Sequence, residues 1–311
     1  SSLAFGRSVN APMEASLARG TLVVTGPAVE AVAQRYARFV SDERREPRVQ
    51  RDGAAFHITL LPKGALPSGA TEREALLDEA RELCRASRFV AIGLGSQGTR
   101  GKLSCSFVIL LWPAATAFCR EHGAPGQDLH ITLGFDRHDL HDVRKGPRQL
   151  EPLPAAPADR AAALPDWAAG DEDRLEGSWP SVCALLNDAI ASTGRDAHDE
   201  QLALSDRLLV YADALTPPAA IRARLHALRF QLFCKLGRER EALEEAERAV
   251  QQAPHDAKLM ARAGSVCKRS GDLQAAVAWL RRAQAVQGDG GLAREDAERV
   301  ETLIVQCERK L

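Results

Sequence analysis

The chain lacks any apolar run long enough to cross a bilayer. Its longest, Phe107 to Leu111 followed by Trp112, falls far short of the roughly 20 residues a spanning helix needs. No basic stretch followed by an apolar segment opens the sequence, so no secretory signal is expected. Its seven cysteines are odd in number and show no C-x-x-C spacing. That pattern speaks against a disulfide framework and a zinc knuckle, and for reduced thiols in a cytoplasmic or nuclear compartment. A dominant charge is lacking as well, with 41 Lys and Arg against 42 Asp and Glu. The balance hides an asymmetry. Residues 1–150 carry 20 basic and 16 acidic side chains, net +4, and residues 151–311 carry 21 and 26, net −5. A mildly basic first half suits a ligand with a few phosphates; a long nucleic-acid footprint wants a stronger patch.

What is present is the composition of a soluble globular protein, 45% hydrophobic and 27% charged over 311 residues, enough for two domains. In the first half, short β-rich runs alternate with helical patterns. Thr21–Thr25, Ala55–Leu61, Phe89–Leu94, Ser104–Leu111 and Leu129–Gly134 read as strands. Val29–Val40, Thr71–Ser87 and Pro113–Glu121 read as helices, the second opened by a Thr71/Glu74 capping box. The glycines from Gly93 to Gly101 precede a strand rather than a helix, so they do not form a dinucleotide fingerprint. They read as a flexible hairpin able to cover a site. This arrangement predicts an α+β domain over 20–146. Prolines 147, 152, 154, 157 and 165 among alanines then mark a linker over 147–177.

Residues 178–311 read as helix throughout. Gly237, Ala242, Leu243 and Ala249 recur 34 positions later as Gly271, Ala276, Val277 and Ala283. With Pro254 closing the unit and Gly264 inside a helix, this half resembles the tetratricopeptide repeat. The likeness is incomplete, because His226 and Met260 hold the usual aromatic positions and Gly288 replaces the second closing proline. Gln201–Leu215 reads as the remains of another repeat, and Ser178–Thr193 and Ala293–Lys310 as flanking helices. Such arrays bind partners or brace a neighbouring domain.

One tetrapeptide, His-Ile-Thr-Leu, occurs twice, at 57–60 and 130–133, with 73 positions between His57 and His130. In a strand, side chains two apart share a face. His57 projects with Thr59, and His130 with Thr132, while Ile58, Leu60, Ile131 and Leu133 turn to the core. Two such strands side by side would offer two imidazoles and two hydroxyls to one anion. Hydrolysis of a cyclic phosphodiester needs a base for water and an acid for the leaving oxygen, and imidazole serves both near neutrality. Hydroxyls can donate to the non-bridging oxygens as charge grows on them. No metal or cofactor is required. The string Asp136 to Asp142, with His138 and His141 in H-x-x-H spacing, has metal-ligand residue types and is read as surface charge. Lys63 is a candidate phosphate contact, and Trp112 and Phe135 are candidates for stacking on a base.

These motifs, with their flanks Phe56 to Lys63 and Leu129 to Phe135, resemble the two-histidine (2H) phosphoesterase superfamily, most closely its Swiss Army Knife RNA repair-like branch. The resemblance spans Thr21 to Gly146. It implies a bilobal α+β fold, His57 and His130 as the acid–base pair, and Thr59 and Thr132 as phosphate binders, with His130 favoured as base. The expected architecture is therefore an α+β bilobal 2H phosphoesterase domain followed by an all-α tetratricopeptide-like helical domain. The expected activity is metal-independent hydrolysis of 2′,3′-cyclic phosphate ends of RNA or nucleotides. Hydrolysis of a 2′–5′ phosphodiester or an ADP-ribose cyclic phosphate stands as the rival reaction. The rival of another class is a non-catalytic RNA-end or nucleotide sensor. A protein partner for the helical repeats is expected, and no membrane.

Overall fold

The computed structural model describes residues 12–98, 103–141, 143–153, 163, 179–192, 197–215, 217–286 and 291–311. Contacts divide the chain into two compact units, Ser1–Ser192 and Thr193–Leu311. Most of the expected linker, and the tip of the glycine-rich hairpin, lie outside the described residues.

The first unit contains β1 (Glu14–Ala18), β2 (Thr21–Thr25), α1 (Pro27–Ala37), α2 (Asp42–Asp52), β3 (Ile58–Leu61), α3 (Ala70–Ala86), β4 (Val90–Gly98), β5 (Ser104–Leu111), α4 (Pro113–Glu121), β6 (His130–Phe135) and α5 (Trp179–Ser192). Its strands form one antiparallel sheet in the order β1-β2-β3-β6-β5-β4. The order is palindromic. Each half is a hairpin plus a third strand that returns after helix to the centre, so β3 and β6 are equivalent strands of two like lobes. Ile58, Leu60, Ile131 and Leu133 are buried together with Val29 and Ala33 of α1, Leu76 and Ala80 of α3, and Ala115 and Phe118 of α4. These helices cover one face of the sheet.

Three local expectations change. The N-cap of α3 is Gly69, and no side chain caps it. Thr71 therefore lies inside the first turn, and the capping box does not form. Gly93, Gly95 and Gly98 belong to β4, which pairs with β5 as far as Gly98↔Ser104; this stretch is sheet rather than a loose hairpin. Helix α5 groups with the first unit and packs on α4. Two elements, β1 and α2, have no counterpart in the sequence reading.

The second unit is all helix: α6 (His198–Leu215), α7 (Ala219–Leu236), α8 (Glu239–Gln252), α9 (Ala257–Ser270), α10 (Leu273–Ala285) and α11 (Arg294–Glu308), each packed on the next. The 34-residue recurrence now has a physical basis. Gly237 and Gly271 end α7 and α9 with φ of 76° and 87°, a left-handed cap that glycine adopts without strain. Gly264 lets α9 and α10 close up, since a Cβ there would sit 2.7 Å from Leu280 Cγ. Among the described residues, no helix of either unit is long and apolar enough to cross a membrane. All seven cysteines are free thiols, and all but Cys234 are buried.

Candidate active site

The site is built where the two like lobes meet. Strands β3 and β6 pair antiparallel with Ile58 opposite Ile131. One step either way sets His57 opposite Thr132 and Thr59 opposite His130. Facing side chains in such a pair have Cβ atoms about 5 Å apart, and diagonal ones about 7–8 Å. The four polar residues thus form a square with histidines on one diagonal and threonines on the other. Strand alternation turns all four away from the helix-covered core. His57 itself lies one residue before β3, in an extended lead-in, and keeps that alternation: His57 and Thr59 are half-buried between Phe56, Ile58 and Leu60, which are buried.

The two imidazoles have different surroundings. His130 Nδ1 lies 2.7 Å from the carbonyl oxygen of Asp128. A carbonyl only accepts, so Nδ1 carries the hydrogen and Nε2 of the neutral ring keeps its lone pair. The ring meets Phe107 of β5 edge-on, with centroids 5.8 Å apart. Burial, reinforced by the nearby Lys145 ammonium, pulls the His130 pKa down to about 4. Burial also lowers His57, against a raising effect from Asp52. In the free protein both rings are neutral at pH 7.

Around this square stands a set of charged side chains that no motif marks. The Asp139 carboxylate accepts from Lys145 Nζ at 2.8 Å and from Arg51 Nη1 at 3.0 Å, and Thr132 Oγ1 lies 3.5 Å from its Oδ2. Arg51 also binds Asp52 through two contacts of 2.6 and 2.8 Å. The guanidinium of Arg144 grips Asp128 at 2.7 and 2.8 Å, and the Lys145 backbone N–H donates to the same carboxylate at 2.9 Å. The carbonyl that sets the His130 tautomer is therefore fixed from a loop 16 residues further along. Arg48, buried, donates to the Ala55 carbonyl at 2.8 Å and caps the Phe56 ring at 3.9 Å, anchoring the lead-in to His57. Arg48 and Arg51 come from α2, where Pro47 and a nearly all-polar sequence obscure the helical period. Lys145 sits just before the first proline of the linker. Neither could be tied to the site by spacing alone.

The remaining sequence candidates fall as follows. Lys63 is exposed in the turn after β3, its stem against Gly20 of the β1–β2 turn. Trp112 is a correction: 1% exposed in the helix-covered core, it donates through Nε1 to Ser87 Oγ at 2.8 Å and cannot reach a base. Phe135 is a second correction, because it is buried beneath the Arg51 guanidinium at 4.6 Å. His138 and His141 are exposed, whereas Asp139 between them turns inward to Lys145 and Arg51. Among the described residues no three His, Cys, Asp or Glu side chains gather into a metal-binding group. The glycines of β4 act by their smallness. A Cβ on Gly95 would meet Phe107 at 2.7 Å and Ile109 at 2.8 Å, the residues that face Thr132 and His130 across β5 and β6.

The palindromic antiparallel sheet thus carries one His-x-Thr strand from each lobe at its centre. Residues 20–141 match the family model described as Swiss Army Knife, 2H phosphoesterase domain. Neither curated proteins nor solved structures yield a match to the chain.

Proposed function

We propose that this domain hydrolyses 2′,3′-cyclic phosphate ends of RNA or nucleotides to a phosphomonoester, with His130 as general base and His57 as general acid. The observation that carries the reading is the diagonal square, in which a single phosphorus can lie between two imidazoles and two hydroxyls. His130 presents a lone pair at Nε2, so it takes the proton from an attacking water as the new P–O bond forms. His57, on the opposite corner, gives its proton to the sugar oxygen as the cyclic P–O bond breaks. Thr59 and Thr132 donate to the non-bridging oxygens, where charge accumulates. A bound phosphate anion favours the protonated form of a nearby imidazole, which supplies the acid that the neutral free site lacks. Lys63 is the candidate for contacting a neighbouring phosphate.

The helical unit supports a binding role for a partner. Helices α7 and α9 contain no Asp or Glu, and Arg224, Lys258, Arg262 and Arg269 on them are exposed. These four side chains form a basic set that suits acidic groups on a partner, within a half of the chain that is net −5 overall.

The test is incubation with cyclic nucleotides and a cyclic-phosphate-ended oligonucleotide in EDTA. Turnover should persist in EDTA and drop by about 10²–10⁴-fold in His57→Ala and in His130→Ala. Tight binding without turnover would replace the hydrolase reading with that of a sensor. Turnover confined to a 2′–5′ linkage or an ADP-ribose cyclic phosphate would redirect the substrate assignment.

A further inference from the structure

The buried ion pair between Lys145 and Asp139 is the feature the reaction outlined above leaves unused. Its side chains are 4% and 5% exposed, and its atoms are 2.8 Å apart. Buried charges are costly unless paired, and such a pair often contributes little net stability. Here it lies against the second motif on several sides. Lys145 Nζ is 5.8 Å from the Phe107 ring centroid, and Phe107 in turn meets His130. The Lys145 backbone holds Asp128, whose carbonyl orients His130. Asp139 stands beside Thr132 and receives Arg51 from α2.

We infer that Lys145 and Asp139 are positioning residues for the two-histidine reaction: together they fix His130 in place and set the charge it experiences. The inference rests on His130 being the base. The ammonium behind Phe107 opposes protonation of His130, and the carboxylate limits that effect. The charged groups facing His130 are Lys145, Asp139 and Asp128, the last neutralised by Arg144. Those facing His57 are Asp52, Arg51, Arg48 and Asp139. Lys145 therefore acts mainly on the second histidine, while Asp139 reaches both.

Opposite substitutions separate this role from simple structural support. In the full chain, with no substrate present, the His130 ring titration is followed by NMR. Lys145→Met should raise its pKa, and Asp139→Asn should lower it, each by at least about half a unit. The double variant, which removes both charges, should return it toward the original value. Because removing both partners of a buried pair is far milder than removing one, the double variant stays interpretable if a single one fails to fold; Lys145→Arg, which keeps the charge, is the companion. With substrate, the acidic limb of kcat/KM should follow the same two directions. Shifts of the same sign, or a titration unchanged in all variants, would overturn the inference. A titration that moves as expected beside an unaltered kcat/KM limb would retain the electrostatic coupling and discard His130 as the base.

Discussion

At the scale of single residues, the site combines two neutral histidines with a surrounding set of fixed charges. In the proposed reaction, His130 has to be unprotonated to accept a proton from water, and His57 has to be protonated to release one. With His130 near 4 and His57 below its ordinary value, kcat/KM should climb through about pH 4 and decline before about pH 6.5. A pH profile on a cyclic nucleotide checks this, and an optimum above neutrality would contradict the assignment. Threonine truncation tests the hydroxyls in the same assay. Thr132→Val should lower kcat by about 10²-fold, the scale for loss of one donor to a developing oxyanion, with little effect on the fold, because the residue keeps its shape.

At the scale of elements, β4 and α2 matter most. Gly95 is needed because β5 presents Phe107 and Ile109 where a side chain would stand. Gly95→Ala should cost about 1–3 kcal/mol of stability through overpacking, read as a lower denaturation midpoint. It should also slow turnover by displacing Phe107 from His130, whereas Gly98→Ala, where the nearest atom is 3.4 Å away, should be milder. Helix α2 contributes Arg48 to the lead-in of His57 and Arg51 to Asp139. Its sequence, Asp-Glu-Arg-Arg-Glu-Pro-Arg-Val-Gln-Arg-Asp, has a single apolar side chain, Val49, and a proline in its interior. No apolar stripe betrays it, so hydrophobic periodicity passes it over. The long helix α3 was legible for the opposite reason: Leu76, Ala80 and Cys84 recur every four residues and are all buried.

At the scale of the molecule, the two depressed histidines couple acid to unfolding. In the unfolded chain each takes up a proton near pH 6.5, but in the folded domain protonation is opposed down to about pH 4 at His130. Their contribution is complete above about pH 6.5 and is lost as pH falls toward 4. The melting temperature of the sheet-containing unit should therefore drop across that window, and His130→Asn should flatten the slope. The sequence by itself determined the β-periods of the two His-x-Thr strands, the glycine stops of α7 and α9, and the change from mixed to helical structure, because each is written in local spacing. It also named the four polar residues, since two-residue alternation is enough to place them on a common face. The tertiary structure alone decided that β3 and β6 are neighbours, that Trp112 and Phe135 are enclosed, and that Arg51, Asp139 and Lys145 converge beside Thr132. Those facts depend on pairing and burial between segments up to 94 residues apart, counted from Arg51 to Lys145, and no local period records which distant charges will share one low-dielectric space.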